Sequence, residues 1–432
     1  MSVLKVVGGK PLVGEIDISG SKNAALAILA SVPLVDGVVV LKNVPDISDV
    51  RTKLELMRGY GISAEKQGED LILDATQLKA HEPAEELVRR IRTGFYMLGP
   101  VLARLGHATL PMPGGCKIGA RPVDFHLKGL HALGANIETL GGSYVARTSG
   151  LIGSEIYLDA PSAGATQHLM ATATLADGCT VIQNASIEPE VVTLAGFLNA
   201  CGALIEGAGT STITITGVSK LTSGQFRVPA DRIQAGTYLL AAAATRGDVT
   251  VRGILPENQI ALINKMREAG IHAEEGSDYV RVWADSRPRG IRVKTMPYPG
   301  FPTDIQQPMS AFLALASGPS VIEETIYESR IGHVQELNRM GAKMRVEGRS
   351  TYIEGVNGLV GATVEASDLR AGAALCVAAL AAEGTTYIKN VHFIDRGYQN
   401  LEALVGSLGG DMVRIHDEEP TSVGAEFGQA KP

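Results

Sequence analysis

A chain of 432 residues, 45% hydrophobic and 20% charged, has enough apolar material for more than one core, so two domains are expected and a disordered class is excluded. Its 39 Lys and Arg against 46 Asp and Glu give a net charge of −7, which argues against general nucleic-acid binding but leaves room for small anions in a cleft lined by a few arginines. No apolar run approaches the roughly 18 residues of a membrane span, and the opening "MSVLKVVGGK" lacks the apolar region of a signal peptide.

The opening segment, "MSVLKVVGGKPLVGEIDISG", reads as strand. "NAALAILA" follows, a helix of small residues that is apolar on most sides and therefore expected inside its unit. Next come a short strand in "DGVVVLKN" and an amphipathic helix, "VRTKLELMRGYG", whose closing Gly61 suits a left-handed C-cap. This order then recurs. Glycines ending the small-residue runs stand at Gly37, Gly106, Gly178, Gly247, Gly318 and Gly384. Glycines closing the second helices stand at Gly61, Gly134, Gly202, Gly270, Gly341 and Gly409. Both series advance by roughly 70 residues, longer than the usual thin-solenoid repeat. Six units in two groups of three predict two similar α/β domains.

The division between the groups is placed in "SGQFRVPADRIQAG", giving residues 22–229 and 230–415. The first 21 residues are expected to complete the sheet of the second group. The tail, 416–432, has little apolar content and is expected to be mobile.

In "PMPGGCKIGARPVDF", residues 111–125, Cys116 follows two glycines and precedes a lysine and an arginine. Cationic neighbours favour a reactive thiolate, although a surface loop with an incidental thiol has the same appearance. Cys179, Cys201 and Cys376 lie in apolar runs and are expected to be inert core residues; with no CxxC pair, the four cysteines point to a reducing, cytoplasmic compartment. The nine histidines are scattered and suggest no metal cluster.

The small-residue helices begin with polar groups: Lys22 and Asn23, Arg92, Ser162 and Gly164, Asp231 and Arg232, Asp304, then Asp368 and Arg370. Helix N-termini attract anions. Ser162, Asp304 and Asp368 read equally well as N-caps, but Lys22, Arg92 and Arg370 are disfavoured at such ends unless a ligand meets them. Arg121, Arg330 and Arg396 occupy matching loops after the strands of units two, five and six. Guanidinium forks bind carboxylate and phosphate in two-pronged fashion, so the cationic set suits a small substrate carrying both.

"SGSKNAAL", "PGGCKIGARPVD", "SAGAT", "DRIQAGT", "FPTDIQ", "SDLRAG" and "HFIDRGY", in this order from about residue 3 to 414, resemble the motif set of the UDP-N-acetylglucosamine 1-carboxyvinyltransferase family of enolpyruvyl transferases. The resemblance implies two inside-out α/β barrels of three units each, with the active site between them and the N-terminal strand crossing to the second barrel. It implies transfer of enolpyruvyl from phosphoenolpyruvate to the 3′-hydroxyl of UDP-N-acetylglucosamine, opening peptidoglycan synthesis, with no cofactor, metal, nucleic acid or membrane. By resemblance Cys116 protonates the methylene carbon and is alkylated by the epoxide fosfomycin, and Asp304 deprotonates the sugar hydroxyl. Lys22, Asn23, Arg121, Arg330, Arg370 and Arg396 match the phosphoenolpyruvate contacts, with Lys22 and Arg396 also catalytic. Asn23, Arg92, Arg121, Pro122, Val123, Asp124, Phe125, Ser162, Ala163, Gly164, Asp304 and Ile326 match the nucleotide-sugar contacts. Asp231 and Asp368 are supporting residues. Gln234 departs from the family's usual glutamate, and Pro161, Ser162 and Ala163 vary a uridine-side loop. The alternatives are 5-enolpyruvylshikimate-3-phosphate synthase, on the same fold, and a non-catalytic paralogue that binds the nucleotide sugar.

Overall fold

The computed structural model describes residues 2–113 and 123–416. Its strands form six small sheets, and five of them share one plan. A short edge strand pairs in parallel with a second strand, which continues antiparallel into a hairpin. In the third unit, Glu155–Tyr157 lies parallel to Cys179–Gln183, followed by Thr212–Thr216 and Leu204–Glu206. Among the described residues the second unit has three strands, His107–Pro111, Ser143–Arg147 and Asn136–Leu140.

Distant strands close both groups. Gly224–Arg227 supplies the parallel edge of the first unit by pairing with Val38–Lys42. Val13–Asp17 does the same for the fourth, beside Asp248–Arg252. The sixth unit ends before its last hairpin strand, and Ser2–Val7 fills that place between Thr385–Lys389 and Asp411–His416. The final strand runs through His416; residues 417–432, where the mobile tail was expected, lie outside the described residues.

The sheets face outward and the small-residue helices fill the middle. Lys22–Ser31, Leu98–Leu105 and Ala163–Ala173 belong to one apolar core, which draws on residues 24 to 228. Arg232–Ala244, Thr303–Leu313 and Leu369–Ala381 belong to the other, which draws on residues 4 to 18 and 233 to 412. Alanine and glycine let these helices approach closely. A β-carbon at Gly99 would stand 2.0 Å from Thr172 Oγ1. Between the cores the chain passes twice, side by side: Gly20 bridges Ala230, Ser21 N donates to Pro229 O at 2.7 Å, and Asp231 N donates to Ser19 O at 2.9 Å.

All six glycines closing the second helices take φ between +82° and +98°, the left-handed conformation expected of them. One cysteine departs from expectation. Cys201 and Cys376 are buried, but Cys179 is exposed. It opens the strand Cys179–Gln183, whose alternate side chains face solvent, so residues that look like one apolar run are divided between two faces. Among the described residues, no helix is long and apolar enough to cross a membrane.

Candidate active site

Two carboxylates organise the cleft between the cores, and each serves two cations. Asp49, in the first turn of the helix Ser48–Gly59, is 5% exposed. Its Oδ2 lies 2.8 Å from Lys22 Nζ, and its Oδ1 accepts from Arg396 Nε at 2.8 Å. Lys22 and Asp49 belong to the first core's half and Arg396 to the second, so this contact spans the cleft. Burial would raise the Asp49 carboxyl, but Lys22 and Arg396 outweigh it and hold the group below the usual carboxylate range. For Lys22, burial and the nearby Arg396 and Arg370 push the ammonium down, against the pull of Asp49.

Asp304 is the second centre. Its Oδ1 lies 2.8 Å from Arg330 Nη2 and its Oδ2 accepts from Arg370 Nη2 at 3.0 Å. Burial opposes ionisation here too, but the two guanidiniums win and hold the carboxyl well below its ordinary value. Asp304 is not an N-cap, contrary to one expectation. The helix begins a residue earlier, at Thr303 with Pro302 before it, so the carboxylate is free to turn toward the arginines. Arg330, in a loop as its sequence position implies, is buried at 5% exposure; its Nη1 donates to Thr303 Oγ1 at 2.8 Å, and its Nε has no hydrogen-bond partner among the described residues.

The supporting aspartates act through the backbone. Asp231 Oδ1 accepts from Ile233 N and Gln234 N, capping its own helix, while Oδ2 accepts from Lys22 N at 2.9 Å. One side chain therefore fixes the starts of two helices, one from each half. Asp368 Oδ1 accepts from Arg370 N and Ala371 N, which sets the turn from which Arg370 reaches Asp304. Gln234, 1% exposed, accepts from Ser19 Oγ at 3.2 Å and donates to Gly397 O at 3.4 Å, next to Arg396. An ionised glutamate could not make that donation, so the amide is the better residue for this backbone.

Of the expected nucleotide-sugar contacts, Asn23, Arg92, residues 123–125 and residues 162–164 belong to the first half, and Asp304 and Ile326 to the second. Ser162 caps the helix Ala163–Ala173 by accepting from Ala165 N at 3.3 Å. Gly164 lies against Tyr96, where a β-carbon would stand 2.2 Å from the phenol oxygen. Arg92 opens the turn that carries Tyr96, and Val123, Asp124 and Phe125 begin the helix Asp124–Ala132. The next residue, His126, is hydrogen bonded to His168 at 2.9 Å (Nδ1 to Nδ1), and His168 Nε2 accepts from Gly99 N. Asn23 is half-buried beside Lys22, and Ile326 precedes the Arg330 loop with its N donating to Glu324 Oε1 at 2.8 Å. Cys116, Arg121 and Pro122 lie outside the described residues.

Sequence reasoning missed Asp49. In "ISDVRTK" it looks like an ordinary acidic residue in a first helical turn, and no local signal reveals that its partners are 27 residues behind and most of the chain ahead. Fully buried Lys53, one helical turn on, was missed as well; its Nζ donates to Thr93 O at 2.5 Å, beside Arg92. The cleft therefore presents four cations from three units, each sharing a carboxylate, a geometry that can exchange carboxylate for phosphate or a substrate carboxyl.

Comparison with known proteins agrees in fold and length. Residues 6–404 match the family model described as EPSP synthase (3-phosphoshikimate 1-carboxyvinyltransferase). A relative from Caldanaerobacter subterraneus subsp. tengcongensis, named UDP-N-acetylglucosamine 1-carboxyvinyltransferase 3, is 47% identical over 96% of this chain and 100% of its own. The UDP-N-acetylglucosamine 1-carboxyvinyltransferase of Trichormus variabilis is 45% identical over 100% of this chain and 98% of its own. Among solved structures, the enolpyruvyl transferase NikO from Streptomyces tendae superposes with a TM-score of 0.86 at 25% identity, covering 96% of this chain and 98% of that one.

Proposed function

The chain belongs to the UDP-N-acetylglucosamine 1-carboxyvinyltransferase family of enolpyruvyl transferases, and from that premise we propose how its cleft performs the reaction. The protein transfers the enolpyruvyl group of phosphoenolpyruvate to the 3′-hydroxyl of UDP-N-acetylglucosamine and releases phosphate, the reaction that opens peptidoglycan synthesis. Full-length relatedness at 45–47% to enzymes named for this acceptor favours it over shikimate 3-phosphate.

The observation that carries the mechanism is the pair of shared carboxylates. Lys22 and Arg396 release Asp49 to take the phosphate, while Arg330 and Arg370 turn from Asp304 toward the substrate carboxylate. Asp304, relieved of its guanidiniums, then becomes basic enough to accept the hydroxyl proton. As the sugar oxygen bonds to C2, Cys116 protonates C3. Phosphate then leaves with its C–O electron pair, and return of a C3 proton to the Cys116 thiolate restores both the double bond and the thiol. Arg121 joins the anion clamp, Asn23 lies between both substrates, and Arg92, residues 122–125, residues 162–164 and Ile326 hold the nucleotide sugar. The domains are proposed as 22–229 and 1–21 with 230–415, which follows the two apolar cores.

The test is phosphate release from phosphoenolpyruvate with each acceptor. UDP-N-acetylglucosamine is expected to support turnover and shikimate 3-phosphate none; turnover with shikimate 3-phosphate alone would overturn the reading.

A further inference from the structure

Glu324 is a buried carboxylate that the reaction as written does not use. It directly follows the strand Ser320–Glu323 and is 3% exposed. Four neutral donors meet it. Its Oε1 accepts from Thr295 Oγ1 at 2.9 Å, from Ile326 N at 2.8 Å and from Tyr327 N at 3.1 Å. Its Oε2 accepts from Thr303 Oγ1 at 2.8 Å. A buried charge needs a cation as well as hydrogen bonds, and a route to one runs through Thr303.

Thr303 opens the helix that carries Asp304. Its hydroxyl has one hydrogen, and that hydrogen goes to Glu324 Oε2, because a carboxylate can only accept. The hydroxyl oxygen in turn accepts from Arg330 Nη1 at 2.8 Å. The direction of both bonds is therefore fixed, from guanidinium to hydroxyl to carboxylate, and each bond polarises the next. The other end of the same guanidinium, Nη2, lies 2.8 Å from Asp304 Oδ1. Arg330 also lies over the Tyr327 ring, 5.0 Å from its centroid, and Glu324 accepts from the backbone N–H of that same tyrosine. Glu324 thus holds Arg330 from two sides, through Thr303 and through Tyr327.

We propose that Glu324 is a positioning residue for Arg330 and acts on it through the Thr303 hydroxyl. The inference rests on the reaction proposed above, in which Arg330 leaves Asp304 for the carboxylate of phosphoenolpyruvate. Nη1 stays on Thr303 as a pivot while Nη2 is handed from one carboxylate to the other. The guanidinium is then already ordered when the substrate arrives, and little side-chain freedom is lost on binding. The same carboxylate fixes Ile326 N, so one side chain sets both a nucleotide-sugar contact and an arm of the anion clamp.

The experiment is steady-state phosphate release, with KM measured separately for phosphoenolpyruvate and for UDP-N-acetylglucosamine. Thr303→Val keeps the shape and removes the hydroxyl. KM for phosphoenolpyruvate should rise about tenfold or more, the loss expected for one hydrogen bond to a charged group, while kcat and KM for the sugar nucleotide stay within about threefold. Thr303→Ser keeps the hydroxyl and should stay within about threefold of the wild type in all three constants. Glu324→Gln keeps one oxygen for Ile326 N and Tyr327 N but sets an amide N–H where Oε2 stood, so the Thr303 hydroxyl loses its acceptor. The same rise is expected, and Glu324→Gln combined with Thr303→Val should be no worse than Thr303→Val alone, because both break one chain. Should Glu324→Gln fail to fold, the two Thr303 variants carry the test. A loss of kcat with both KM values unchanged, effects that multiply in the double variant, or a Thr303→Ser enzyme as impaired as Thr303→Val would overturn the positioning role alone. A wild type that releases no phosphate with UDP-N-acetylglucosamine would overturn the underlying reaction and the inference with it.

Discussion

Replacing Asp49 by asparagine removes the carboxylate shared by Lys22 and Arg396 while keeping its volume and one acceptor oxygen. Breaking a buried ion pair by deleting one partner costs about 3–5 kcal/mol, because the remaining charge is left unpaired in a low dielectric. Lys22 is 11% exposed at the side chain and bears most of that cost; Arg396, at 34%, is partly solvated and bears less. A net loss of about 3 kcal/mol follows, or about 6–12 °C in the melting temperature of a half this size. Inorganic phosphate should then rescue the variant more than the wild type, since in the wild type it must first displace Asp49. At a hundredfold excess over its Kd, phosphate adds about 2.7 kcal/mol, enough to recover most of the loss. The acid dependence has a defined sign. Because the folded carboxyl lies below its unfolded value, its contribution is present above about pH 4 and is lost as pH falls through the lower folded value. The Asp49→Asn variant should therefore show a flattened acid limb of stability. The assay is thermal unfolding with and without phosphate, between pH 3 and 8. An unchanged melting temperature, or phosphate rescue no larger than in the wild type, would refute the reasoning.

Three other outcomes are expected. Burial lowers the Lys53 ammonium to about 7, so between that pH and the unfolded value near 10.4 the unfolded state binds more protons and stability should rise with pH; denaturant midpoints should climb from pH 7 to 9 in the wild type and stay level in Lys53→Met. A thiol reagent should label the exposed Cys179 in the native protein but not Cys201 or Cys376, whose thiols burial pushes up to about 11 and about 12; peptide masses decide, and labelling of the latter two before unfolding would contradict the packing. Arg396→Ala should lose at least about tenfold in turnover or in affinity for phosphoenolpyruvate, with Arg396→Lys recovering only part because the planar fork is lost; near-wild-type kinetics in the alanine variant would remove Arg396 from the anion clamp.

The sixfold repeat was legible because it is written in residues whose local physics is unambiguous. Helices such as "AGAALCVAALAA" have no polar face to offer solvent, and glycine after each second helix answers a left-handed backbone. Cys179 was misread because length and apolarity were weighed without the two-residue period of a strand. The cations at helix starts were legible for a different reason: Lys22 and Arg370 sit where a helix dipole disfavours them, and such a conflict marks a site. The partner of Lys22 was not legible. Asp49 is an acid near a helix start, locally ordinary, and only the folding of one half onto the other turns it into a counter-ion shared by Lys22 and Arg396.

The central claim is that anionic substrates exchange with Asp49 and Asp304 so that the cleft joins enolpyruvyl to a sugar hydroxyl. The most direct measurement is product analysis after incubation with phosphoenolpyruvate and UDP-N-acetylglucosamine, following phosphate and the sugar nucleotide together by phosphorus and proton magnetic resonance. One phosphate released for each vinyl ether formed at the 3′ oxygen is the expected result; phosphate without the vinyl ether, or neither, would contradict the account.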